Sequence, residues 1–203
     1  MANSLCTALV TIDEIMSVKE RLTLDLNISA PDFSLIDIYD REIHLKKYSG
    51  RKLFIGFFRH AGCPFCNLRI HFLQKERDKL SSMGLDMIFF FESRKEVMLR
   101  SSFHQGISPI PLIADPEKVW YQCYGIEQSA QKSRMSHLTG FIQTAIKAKL
   151  KGLPLHLMAD KESFNTIPAE FLIDEQGIIR KIHYSDGLND RMSIEHIYEF
   201  AKA

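Results

Sequence analysis

Long apolar runs are missing from this chain. The main ones, Leu53 to Phe58 and Met87 to Phe91, are strand-sized and fall well short of the roughly 20 residues a membrane-spanning helix needs, so no integral membrane association is expected. The N-terminus also lacks a basic segment followed by an apolar core, because Asp13 and Glu14 interrupt Ala8 to Ile15; no signal peptide is expected. An excess of one charge is missing too. The 26 Lys and Arg stand against 25 Asp and Glu, a formal net charge of +1, which argues against nucleic acid or an anionic membrane as the main partner. Cysteine is scarce: four in 203 residues are too few for a disulfide scaffold. Two of them, Cys6 and Cys123, have no obvious mate, which suits a reducing cytoplasm. The length allows one well-buried domain with insertions and is too short to make two comfortably. There is no internal repeat, no low-complexity tract and no signal for an oligomeric state.

What is present is a thiol pair in a specific setting. The apolar run from Lys52 to Phe58 empties through the short polar hinge Arg59-His60-Ala61-Gly62 into Cys63-Pro64-Phe65-Cys66. Two sulfurs at C-x-x-C spacing, one near a helix start and the other a turn later, can close a short disulfide, the layout of a thiol redox site. The thiolate is the nucleophile, and the unpaired N–H groups of a helix N-terminus stabilise negative charge. Cys63 therefore reads as the N-cap and Pro64 as the first helical residue, where a missing N–H costs nothing. Phe65, Leu68, Phe72, Leu73 and Leu80 mark the buried face of a helix of roughly four turns, with Arg69, Lys75, Arg77 and Lys79 on its wetter side. Positive charge from Arg59 and His60 would lower a thiol pKa; the blander reading of both is a solvated basic hinge. His71 and His183 read more readily as structural histidines than as site residues, and Cys123 as a small buried packing residue. Two inert cysteines, or half of a zinc site, remain as other readings. A metal module would use His60, Cys63, Cys66 and a fourth ligand such as His183, and the missing second C-x-x-C counts against it. A working dithiol requires no cofactor.

Along the chain, residues 1–29 form an N-terminal extension with a charged amphipathic helix over Ile12 to Leu22. Residues 30–203 form the domain. A hairpin pairs Phe33 to Ile38 with Glu42 to Leu45 around Tyr39-Asp40-Arg41. The strand Lys52 to Phe58 and the cysteine helix follow, the helix stopping at Met83-Gly84. Leu85 to Phe91 is a largely buried strand, Ser93 to Gln105 a helix, Ile110 to Ala114 a strand, and Pro116 to Tyr124 a helix. An insertion over about 130–165 carries an amphipathic helix of Leu138, Phe141, Ile142, Ala145, Ile146 and Leu150, flanked by lysines. It reads as packed with a solvated basic face rather than as a membrane-surface or partner helix, and the loop Gly152 to Asn165 is long enough to be a lid. A hairpin turning at Asp174 to Gly177 and a helix from about Ser193 close the chain. Alternating strands and helices imply an α/β fold with a parallel core sheet.

Two separated blocks, the strand ending in C-x-x-C and the Ile167-Pro168 before the last hairpin, resemble the thioredoxin superfamily. The resemblance implies a thioredoxin-like fold and a cis Pro168 beside the Cys63 sulfur, lining a groove for partner thiols with Ile167. Ala30-Pro31-Asp32-Phe33-Ser34-Leu35, the run from Ala114 to Tyr121 and the run from Phe171 to Arg180 are similar to the peroxiredoxin-like, AhpC/TSA-type relatives that include the peroxiredoxin-like 2 proteins. The similarity covers about residues 30–203. It implies an antioxidant thiol–disulfide oxidoreductase, a peroxide substrate, and a thiol protein or small-molecule reductant.

The chain departs from the peroxidase pattern, which has proline at the strand end, a hydroxyl residue four positions later and the peroxidatic cysteine three beyond that. Here those places hold Arg59, Cys63 and Cys66, and the guanidinium expected before the hairpin strand is Pro168. Peroxide reduction then needs Arg59, His60 or Arg191 to substitute. Thioredoxin logic instead makes Cys63 the exposed attacker and Cys66 the resolving thiol, and that assignment is preferred because Pro168 and the second cysteine belong to the thioredoxin arrangement. A partner-binding or metal-binding protein on the same fold is the alternative.

Overall fold

This computed structural model describes residues 23–155 and 162–203, with residues 136–141 described by backbone alone. Cys6 and the helix expected over Ile12 to Leu22 lie outside the described residues.

Strands β1 (Ser34–Ile36) and β2 (Glu42–His44) make a two-stranded antiparallel hairpin. The rest of the strands form one five-stranded sheet: β3 (Lys52–Phe57), β4 (Leu85–Phe91), β5 (Leu112–Ala114), β6 (Ala169–Ile173) and β7 (Ile179–Tyr184), in the order β5-β4-β3-β6-β7. β3, β4 and β5 run parallel, while β6 is antiparallel to β3 and to β7. The cysteine strand β3 thus pairs directly with β6 of the C-terminal hairpin.

Alternation along the strands builds two cores. Leu53, Ile55, Phe57, Ile88, Phe90 and Phe171 face the side that carries the hairpin and Tyr121 and Tyr124. Phe54, Phe58, Met87, Phe89 and Leu172 face helix α1 (Pro64–Ser82) and the C-terminal helix, Ile194–Lys202. Gly56 is needed where it stands, since a Cβ there would lie 2.7 Å from the ring of Phe58.

Several boundaries move from the sequence reading, each for a local reason. The single helix expected over Ser93 to Gln105 is two, α2 (Lys95–Leu99) and α3 (Ser102–Gln105), because Ser101 takes extended backbone between them. β5 starts at Leu112 rather than Ile110, just past Pro109 and Pro111, which have no N–H to give a ladder. Helix α4 (Val119–Cys123) starts late because the Asp115 carboxylate accepts the N–H groups of Val119 at 3.1 Å and Trp120 at 2.8 Å. On α1 the inward face is Cys66, Ile70, Leu73 and Leu80, whereas Leu68 is half-buried and Phe72 is exposed. Helix α5 (Ala130–Leu150) packs against α1, capped by the Ser129 hydroxyl, which accepts the Lys132 N–H. The C-terminal helix, α6, opens on a Ser193 cap as expected.

Candidate active site

Because β3 and β4 are parallel and β6 runs against them, three segments meet at one edge of the sheet: 58–63 after β3, Glu92 and Ser93 after β4, and 166–168 before β6. The carboxyl ends of strands in such sheets are where ligands are held. The hinge is anchored by the Tyr121 hydroxyl donating to the Phe58 carbonyl, and by the Ala61 N–H donating to Ser93 Oγ at 2.7 Å.

Cys63 is the N-cap of α1, with extended backbone and Pro64 directly after it. Cys63 and Cys66 are both free thiols and both fully buried. The expectation that Cys63 is the exposed sulfur is thus corrected. Residues from beyond the insertion helix reach the hinge: the Phe164 carbonyl accepts from Arg59 Nη2 at 2.8 Å, and the Pro154 carbonyl accepts from Asn67 Nδ2 at 3.0 Å.

Arg59 is itself fully buried. Its Nη1 lies 3.7 Å from Cys63 Sγ, its backbone N–H donates to Cys66 Sγ at 3.4 Å, and its guanidinium lies 6.0 Å from the centre of the Phe164 ring. Burial alone would raise the Cys63 pKa, but hydrogen bonds from the Cys66 thiol and N–H, with the charges of Arg59 and Arg191, outweigh it and hold Cys63 below the ordinary thiol range. Cys66 is pushed the other way, first by burial, then by its hydrogen bond to Cys63 and the negative charge there. One sulfur is set to carry charge and its neighbour to keep a proton.

His60 is buried rather than part of a solvated hinge; its Nδ1 is 3.8 Å from the Glu162 carboxylate, which also accepts from the Ser93 hydroxyl. Ile167 and Pro168 are buried at the start of β6. The Ile167–Pro168 bond is trans, which corrects the expected cis bond; the cis bond among the described residues is Ser108–Pro109. The physical reason is pinning on both sides. Thr166 bridges to Gln128, the Ile167 N–H donates to Glu127 O at 2.9 Å, and Pro168 O accepts from the Ser185 N–H at 3.1 Å, so the chain runs extended straight into β6.

His71 is on α1 near Phe103, and His183 pairs with Asp190 at 3.1 Å, so each histidine is engaged with a group other than the sulfurs. Cys123 is half-buried rather than buried, and it is not one of the free thiols of the described region, so the expectation that it lacks a mate is withdrawn. Among the described residues no group of three or more His, Cys, Asp or Glu is placed to hold a metal ion.

Sequence reasoning missed the carboxylate behind the site. Glu170, fully buried in β6, accepts from Arg69 Nε and Nη2, both at 2.8 Å, and from the Met192 N–H at 2.9 Å, and it lies 3.9 Å from Arg191 Nε. Arg69 is therefore not on a wet face. The clue available in the sequence was a lone glutamate inside an otherwise apolar strand, which needs a buried cation. Arg191 donates to the Asp190 carbonyl at 2.6 Å, and among the described residues its Nε and Nη2 make no hydrogen bond.

The family model described as AhpC/TSA family matches residues 27–182. Among solved structures, a thiol peroxidase from Chromobacterium violaceum superposes with a TM-score of 0.57 at 16% identity, covering 87% of this chain and 86% of that one. At that identity the likeness speaks for the fold, which is α/β as the order of elements implies and thioredoxin-like as the resemblance implies. No curated protein matches the chain.

Proposed function

The chain belongs to the AhpC/TSA family, and from that premise we propose that it is a thiol-dependent oxidoreductase of the peroxiredoxin-like branch, with Cys63 as attacking thiolate and Cys66 as resolving thiol. The observation that carries this reading is the Arg59 guanidinium 3.7 Å from Cys63 Sγ at a helix N-terminus, with sulfur and cation both fully buried. Small oxidants, hydroperoxides in particular, suit a buried sulfur pair better than an extended peptide does.

In the first step the Cys63 thiolate attacks one peroxide oxygen. An S–O bond forms as the O–O bond breaks, and the departing alkoxide or hydroxide takes up a proton, leaving sulfenic acid on Cys63. In the second step Cys66 sulfur forms the S–S bond and the hydroxyl leaves with the Cys66 proton as water. A thiol reductant then returns two electrons by exchange. The hydroxyl and guanidinium of the peroxidase pattern are absent from their usual places, and Arg59 and Arg191 supply the positive charge that holds the developing oxyanion. A reducing environment would keep Cys63 and Cys66 free between turnovers.

The test is to incubate reduced protein separately with hydrogen peroxide, an organic hydroperoxide and a disulfide, following thiol loss and turnover with a reducing system present. Mass spectrometry of a Cys66→Ser variant after a brief peroxide pulse should find sulfenic acid on Cys63, and a Cys63→Ser variant should lose turnover. Sulfenic acid first appearing on Cys66 would reverse the two roles. No thiol loss with any oxidant, with partner binding retained in a double Cys-to-Ser variant, would make the protein a binding module on this fold.

A further inference from the structure

The insertion helix α5 keeps the solvated lysines expected of it, but the apolar stripe expected to pack inward faces out. Ile142 is 75% exposed, Ile146 54% and Leu150 82%, while Ala148 between them is fully buried on the inner side of the helix. At roughly 100° per residue, Ile146 and Leu150 point almost directly away from Ala148 and Ile142 lies near them. Lys147 and Lys149 fall about 100° to either side of Ala148. The outward surface is thus an apolar stripe one residue wide, edged by lysines on both flanks, with Lys151 continuing the basic edge past the helix end. Core packing cannot account for it, because the core lies on the other side.

We propose that this face of α5 is a peripheral docking surface for an anionic lipid bilayer. A helix lying in a headgroup layer sinks its apolar stripe toward the acyl chains, while lysines on either side extend to the phosphates. The charge of the segment selects this occupant. No Asp or Glu occurs from Gln128 to Ala159, a stretch that holds five Lys and Arg; Lys132 is paired to Glu127 and Asp186, and the rest of that positive charge lies on and around α5. A second copy docking through the same face would bring like lysines together across a two-fold axis, so self-association is disfavoured where an anionic surface is attracted. The net charge of +1 hides this, because it averages over the whole chain.

The test is co-sedimentation of the full-length protein with vesicles of phosphatidylcholine alone and of phosphatidylcholine mixed with phosphatidylglycerol. Binding should be confined to the anionic vesicles and weaken as salt is raised. An Ile142→Ser/Ile146→Ser/Leu150→Ser variant and a Lys147→Gln/Lys149→Gln/Lys151→Gln variant should each bind at least about tenfold more weakly, with unchanged circular dichroism because all six side chains are exposed. No binding of the wild type to anionic vesicles would overturn the proposal, as would binding that both variants retain. A dimer seen by light scattering and dissolved by the apolar variant, without vesicle binding, would assign the face to a second copy and overturn it as well.

Discussion

The guanidiniums of Arg59 and Arg69 both lie near the thiol helix, and their charges are balanced in different ways. Arg69 meets a carboxylate: two 2.8 Å hydrogen bonds join it to Glu170. Arg59 has no ion pair with a carboxylate among the described residues; its polar neighbours are a backbone carbonyl and the Cys63 sulfur. A buried cation without a counter-charge is penalised by several kcal/mol, so on the proposed reading the anion that balances Arg59 is the Cys63 thiolate, 3.7 Å away. The first pair is permanent. The second exists only while Cys63 is reduced and deprotonated, because a disulfide carries no charge.

The largest expected effect follows from breaking the permanent pair. Glu170→Gln leaves Arg69 and Arg191 buried without their carboxylate, and removing one partner of such a pair costs about 3–5 kcal/mol, to be read as a loss of stability in urea denaturation. Thiol reactivity per folded molecule should change far less. A variant as stable as the wild type would show that solvent reaches Glu170 and that the contrast with Arg59 is not one of burial.

Arg59→Met should give the reverse pattern. It removes a buried cation without orphaning a carboxylate, so it should be much milder for stability than Glu170→Gln. It takes away a charge that lowers the Cys63 pKa, and alkylation of Cys63 at neutral pH should slow by about tenfold as the thiolate fraction falls. Iodoacetamide kinetics on a Cys66→Ser background would isolate that sulfur. An unchanged rate would transfer the role to Arg191 or to the helix terminus.

The two arginines also differ in how far they were legible in the sequence. Arg59 could be read, because it lies four residues before Cys63 in the same strand-to-helix hinge, and the N-cap, the N1 proline and the strand order are local or periodic signals of the same kind. Arg69 was misread as a surface residue because its partner Glu170 is about a hundred positions away, and helical periodicity says nothing of a cross-sheet carboxylate. Burial of the Cys63 sulfur escaped for the same reason, since Asn67 and Arg59 reach the carbonyls of Pro154 and Phe164 far along the chain. Pro168 shows the limit of likeness: the resemblance implied a cis bond, but hydrogen bonds with Glu127 and Ser185, outside the strands, hold the backbone extended. On α5, Ile142, Ile146 and Leu150 were correctly grouped on one stripe, yet periodicity cannot say which way a stripe points.

The pH dependence of stability sharpens the comparison further. Cys63 has a lowered folded-state pKa, so its contribution is fully present above the unfolded thiol value of about 8.5 and is lost as pH falls through the lowered folded value. Stability should therefore climb from neutral pH toward about 8.5, with a slope below about 1.4 kcal/mol per pH unit, the limit for one proton. Cys66 acts with the opposite sign: its folded pKa is raised, so its contribution is present below about 8.5 and declines as pH rises toward that raised value. Urea midpoints measured across this range should rise and then fall in the wild type, and the rise should vanish in Cys63→Ser. A flat profile in both proteins would mean that Cys63 titrates alike folded and unfolded, and Arg59 would then need another counter-charge.

The smallest effect separates charge from shape. Arg59 uses one arm of its guanidinium toward Cys63 Sγ and the other toward the Phe164 carbonyl. Arg59→Lys keeps the charge but gives up the planar fork, so a single ammonium must choose between the two acceptors. Against Glu170 a lysine would lose a bidentate pair; here it loses only a bridge to a neutral carbonyl, and the attraction to the thiolate survives. Alkylation of Cys63 should then slow by only about threefold, between the wild type and Arg59→Met. A rate as low as that of Arg59→Met would show that the fork holds the cation in place and that charge alone is insufficient. A rate equal to the wild type would show that the tie to Phe164 contributes nothing to the thiol, leaving Coulomb attraction as the whole of what Arg59 supplies.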